Sequence, residues 1–78
     1  MSFLQKLRSH HTIYVYLENE GTDVWRPVEA LRESENIFQI ITKPPDGESW
    51  QFPSGSRVMC EKKKLEGKEA LVAVKPAS

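Results

Sequence analysis

Of the side chains able to do chemistry, the thiol and the imidazoles come first. Cys60 is the only cysteine in 78 residues, so the chain forms no internal disulfide, and a reducing compartment fits. It alternates in phase with Val58, which makes it a small buried hydrophobe rather than a reactive nucleophile. His10 and His11 are adjacent, so on a strand their rings point apart, and no spaced His/Cys set accompanies them. A zinc site is not expected. Glu18, Glu20 and Asp23 gather around one turn without the regular ligand spacing of a calcium loop, and read as solvated charges or partners for Arg26. Gly21, Gly47, Gly55 and Gly67 stand singly in turns, with no phosphate-cradling cluster. Catalysis needs a nucleophile or an acid–base pair in a water-poor pocket, and a domain this small offers little such volume. The residues therefore predict no enzyme, no metal and no cofactor.

Binding chemistry is better represented. Ile13, Val15 and Leu17 alternate with Tyr14 and Tyr16, so an aliphatic inner face leaves both tyrosines outward. Trp25 joins them, beside Glu18, Glu20 and Asp23. Aromatic anchors rimmed by charge suit a protein surface; the competing expectation is that a loop or the N-terminal segment covers them. Arg26 is expected to pair with Glu18 or Glu20. The candidate partner-binding residues are thus Tyr14, Tyr16, Trp25, Arg26, Glu20 and Asp23, and the expected partner is another protein or a peptide. Nucleic acid is the second expectation. Its basis is Lys62-Lys63-Lys64 with Arg57 and Lys68, but on a strand Lys63 points away from Lys62 and Lys64. Most of the aromatics also sit in an acidic stretch that repels phosphate. Such a lysine run equally serves to discourage pairing at an exposed edge.

These residues must be positioned by a thin framework. Eleven basic and eleven acidic side chains cancel overall. The cancellation hides a split, with residues 1–11 at +2, residues 12–51 at −5 and residues 52–78 at +3. A hydrophobic fraction of 38% is low for a folded domain, yet β-branched and aromatic residues set the chain apart from disordered sequences. One domain is expected over residues 12–76. Residues 1–11 form a short helical or irregular segment, because Ser2 to Gln5 has capping-box spacing. That segment caps an open end, docks a partner subunit or frays; self-association through it or through an edge strand is left open. No apolar run reaches the length of a signal peptide or a membrane span, so a cytoplasmic protein is expected.

Strands are predicted at Thr12–Glu18, Val24–Arg32, Ile37–Thr42, Arg57–Leu65 and Glu69–Lys75, with a short Trp50–Phe52 segment before the fourth. Pro27 cannot donate to a ladder, which makes its strand an edge there, or bulged. Glu33 to Asn36 reads as a hairpin turn with Asn36 left-handed, and Glu66-Gly67 as a tight turn. Five short strands with no helical period between them predict an all-β fold: a small five-stranded antiparallel SH3-like barrel. An OB-fold fits less well, since Lys43 to Ser56 is a poor helix.

Glu20-Gly21-Thr22-Asp23-Val24-Trp25-Arg26-Pro27-Val28 resembles a block found in a group of small uncharacterised bacterial proteins. A looser second block, Trp50-Gln51-Phe52 through Gly55 to Val58 and Cys60, follows it. The resemblance spans about residues 12–75. It implies a stand-alone small bacterial domain and carries over no activity and no functional residue. Eukaryotic SH3 domains are similar in type, with an acidic loop after the first strand, but their ALYDY-like motif and paired tryptophans are missing here.

Overall fold

The expected strands form, except that the one expected over Ile37–Thr42 stops at Ile40 and the Trp50–Phe52 segment is strand only at Ser49–Trp50. The computed structural model describes residues 9–77. The expected N-terminal segment lies outside them except at its end, where His10 and His11 already belong to the first strand. The strands are β1 (His10–Glu18), β2 (Val24–Arg32), β3 (Ile37–Ile40), β4 (Ser49–Trp50), β5 (Arg57–Leu65) and β6 (Lys68–Pro76). No helix occurs among the described residues.

β1, β2, β3, β5 and β6 close into a ring of five, and β4 attaches to the end of β1. The ring is not wholly antiparallel. Its closing contact, Tyr14 with Val72, is parallel, and it corrects the antiparallel expectation for a simple reason. Each successive ring strand reverses direction, so an odd number of them leaves the last running the same way as the first.

The β1–β2 ladder runs without a register shift from His10↔Leu31 to Leu17↔Val24. Backbone donation from Arg32 to the Ser9 carbonyl fixes the odd-numbered β1 residues as the hydrogen-bonded pairs. Tyr14↔Pro27 is therefore a non-hydrogen-bonded pair, and the missing proline N–H faces a side of β2 that β3 does not reach. Pro27 sits at an edge, without a bulge. The bulge lies instead between Met59 and Cys60, where the partner shifts from Lys75 to Ala73 and Val74 becomes the extra residue of β6.

The core is made by the inward residues of each strand. Ile13, Val15, Ala30 and Ile40 are fully buried, with Phe38, Val58 and Cys60 beside them. Burial of each large side chain contributes on the order of 1.5–3 kcal/mol, which a thin core needs. Trp50 and Phe52 plug the end of the ring where β1 stops, since Leu17 pairs with Trp50. Val72 is also buried but stands outside this cluster, on the face opposite Ala73, where β1 crosses β6.

Two turns differ in kind. Asn36 does not take a left-handed conformation; its carbonyl accepts the Cys60 N–H. The Glu33–Asn36 turn is held instead by the Arg32 side chain, which donates to the Ser34 and Glu35 carbonyls. Glu66 (φ 52°) and Gly67 (φ 84°) are both left-handed, the conformation a two-residue hairpin turn requires. They tip an arm formed by the outer halves of β5 and β6, along which Glu61, Lys62, Lys63 and Lys64 are all exposed.

Candidate functional site

The β1–β2 hairpin presents the aromatics. Asn19 and Gly21 take left-handed conformations (φ 65° and 79°) that fold the acidic turn back. Directly across the ladder, Tyr16 and Trp25 pack edge to face, with ring centroids 5.2 Å apart and planes at 67°. The Tyr16 hydroxyl donates to Asp23 Oδ1 at 3.1 Å. That hydrogen bond, and next the charge of Asp23, raise the phenol above its ordinary value, so it remains a donor at neutral pH.

Tyr14, two residues earlier on the same face, joins Trp25 in lining a groove of about 740 Å³. The opposite wall is the β5–β6 arm, which contributes Leu65 and Ala70 with Lys64 and Lys68 at the rim. Tyr14, Tyr16 and Trp25 are each half-buried. The apolar bodies of Tyr14 and Trp25 thus form a floor, with polar tips and charges around it.

Arg26 does not belong to this surface. Strand alternation turns it to the face opposite Trp25, and its partner is Glu48 rather than Glu18 or Glu20. The guanidinium donates through Nε to Glu48 Oε1 at 3.2 Å and through Nη2 to Oε2. The Trp50 indole N–H donates to the same Glu48 Oε1 at 2.9 Å. These bonds, Arg26 first and Trp50 second, hold the Glu48 carboxyl below its usual range and raise the guanidinium in turn. The result is a latch that ties the Lys43–Ser49 loop and the Trp50 plug to β2. Glu20 is exposed in the turn, close enough for its charge to be felt at Arg26.

Of the six residues expected to bind, the structure brings Tyr14, Tyr16, Trp25 and Asp23 together. It leaves Glu20 exposed in the turn outside the groove lining and turns Arg26 to the other face, bound to Glu48. Reading the sequence missed the second wall altogether. Leu65 was the available signal, because an apolar residue at a hairpin tip stays wet unless something lies against it.

A second recess of about 500 Å³ includes Phe38, Met59, Cys60 and Leu71. Burial pushes its Cys60 thiol up to about 11, which disfavours the reactive thiolate at neutral pH. His11 sets its ring edge-on against Phe38, with centroids 5.6 Å apart, while His10 is exposed. Among the described residues no three His, Cys, Asp or Glu side chains converge to hold a metal ion, and no helix is long and apolar enough to cross a membrane. The chain matches no family model, no curated protein and no solved structure.

Proposed function

We propose that this chain is a non-enzymatic protein-interaction module on an SH3-like barrel, working in the cytoplasm. The observation that carries this reading is the groove between the β1–β2 hairpin and the β5–β6 arm, floored by half-buried Tyr14 and Trp25. Rigid aromatics in a concave, partly dry surface are the side chains on which interface energy concentrates. A five-stranded ring with no helix among the described residues supports the SH3-like architecture, and a lone buried thiol suits a reducing compartment. Tyr16 and Asp23 hold Trp25 in place; Arg26 works from the other face as a structural tie.

The test compares proteins recovered from host extract by the immobilised chain and by its Trp25→Ala and Arg26→Lys variants, each checked for folding by circular dichroism. A partner lost on Trp25→Ala and kept on Arg26→Lys supports the module. Equal recovery by a folded Trp25→Ala variant refutes it.

A second reading, nucleic-acid binding, is favoured by one feature. Lys62, Lys63, Lys64 and Lys68 are all exposed on one two-stranded arm, so lysines from both faces of a thin ribbon reach the same duplex groove. Affinity would then fall steeply with salt; no binding to DNA or RNA at low ionic strength disposes of it.

A further inference from the structure

The two edges of the β5–β6 arm are built differently. Beyond Cys60, whose N–H donates to the Asn36 carbonyl, β5 has no ladder partner among the described residues except β6, and its outer edge carries Lys62, Lys63 and Lys64 in succession. Successive like charges discourage an incoming strand. The outer edge of β6 reads Lys68-Glu69-Ala70-Leu71, with no net charge. On that side its one ladder partner among the described residues is Tyr14, at Val72.

The turn determines which groups this edge offers. Leu65 and Lys68 flank the two-residue turn and form a hydrogen-bonded pair, so the alternation turns the N–H and C=O of Glu69 and Leu71 away from β5. The parallel Tyr14–Val72 pairing uses the Leu71 carbonyl, which leaves both groups of Glu69 and the N–H of Leu71 on offer. Lys68, Glu69 and Ala70 also line the aromatic groove. An unguarded edge and an apolar floor therefore lie side by side.

Charge selects the occupant. Asp23, Glu66 and Glu69 line the groove against Lys64 and Lys68, and Glu18 and Glu20 flank the same turn. Among the described residues no cation lies within ion-pair distance of these acids, and Arg26 is bound to Glu48 on the opposite face. The lining has a net charge of only −1, so the acidic side is the hairpin turn with Asp23, Glu18 and Glu20. A second copy pairing edge to edge through a twofold axis would bring two surfaces of the same net negative charge together. A basic segment would not meet that repulsion.

We propose that the groove takes an extended basic peptide. It adds as a strand to the Glu69–Leu71 edge of β6 and seats an apolar side chain against Tyr14 and Trp25. This rests on reading the surface as partner-binding, and it specifies the partner's conformation and charge.

The probe is a randomised seven-residue peptide library selected on the full-length chain and counter-selected on Trp25→Ala. The binders are then titrated by tryptophan fluorescence against wild type, Trp25→Ala and Glu69→Pro. Proline at position 69 removes the outward donor and leaves every β5–β6 bond in place, because that N–H faces away from β5. Enriched peptides should alternate apolar residues with Lys or Arg, and both variants should bind at least tenfold more weakly. Should Glu69→Pro not fold, N-methylating alternate peptide amides asks the same question of the wild-type chain. Loss on Trp25→Ala with full affinity in Glu69→Pro, or for the N-methylated peptide, overturns strand addition and leaves the partner surface standing. No enrichment, or binding indifferent to Trp25, overturns both. A chain that sediments as a dimer which the peptide does not dissociate assigns the edge to a second copy and overturns the peptide.

Discussion

Cys60 offers the sharpest check on the packing described above. Its side chain is 2% exposed, and burial raises the thiol from 9.0 to about 11. At pH 8 a two-unit rise cuts the thiolate, the species that reacts, by about a hundredfold relative to an unfolded chain. Reaction through opening is slower still. A domain of this length has a stability on the order of 4–12 kcal/mol, so the open fraction is about a thousandth or less. Labelling with an aromatic disulfide reagent at pH 8 should therefore run at least a hundredfold slower in water than in concentrated urea. The logarithm of the rate should climb with urea as opening is favoured. A native rate within tenfold of the unfolded one would refute the burial of Cys60, and with it the placement of the Met59/Cys60 bulge. The same thiol sets an alkaline limit. A raised folded pKa contributes stability that is complete below pH 9 and disappears as pH rises through 11, by about 3 kcal/mol for two units. Subtracting a Cys60→Ala variant isolates this loss from the titration of the lysines. Cys60→Ser should cost about 1–3 kcal/mol at pH 7, because its hydroxyl meets apolar neighbours such as Phe38 and Val58.

Glu48→Gln removes the anion shared by Arg26 and Trp50, so amide exchange at Glu48 and Gln51 should quicken while the core strands keep their protection. In the wild type the latch is complete above the ordinary carboxylate value of 4.5 and fails as pH falls through the lowered folded value; the variant should lose that acid transition in exchange rate. Glu66→Asn should stabilise the chain by about 0.5–1 kcal/mol, since asparagine tolerates the left-handed conformation that Glu66 adopts at φ 52°. At this size each kcal/mol raises the melting temperature by roughly 4–8 °C, and an unchanged value in calorimetry would contradict the turn type.

The strands were legible because their determinant is local. Val24–Arg32 and Arg57–Leu65 have the boundaries that alternation and turn residues predict, and Ile13, Val15, Leu17, Val58 and Cys60 are buried as their phase requires. Asn36 shows the limit of residue preference. Its position is set by the Cys60 N–H and the Arg32 side chain, contacts from elsewhere in the chain. Arg26 shows another. Alternation alone separates it from Trp25, but choosing Glu48 over the nearer Glu18 and Glu20 requires a loop 22 residues away to fold back.

Composition and alternation determined an all-β domain with a thin aliphatic core, outward tyrosines and a buried cysteine. Each of these depends on a residue's period and on its affinity for water. The parallel closure was not in the sequence reading, which expected an antiparallel barrel; it results from the first and last of five alternating strands meeting in the fold. The tertiary structure alone decided which surfaces face one another. The acidic hairpin and the lysine-bearing arm are distant in sequence and opposite in charge, and ring closure through the single Tyr14–Val72 pair brings them onto one groove. That pairing depends on register around the whole ring, a sum over every ladder, which no local pattern encodes.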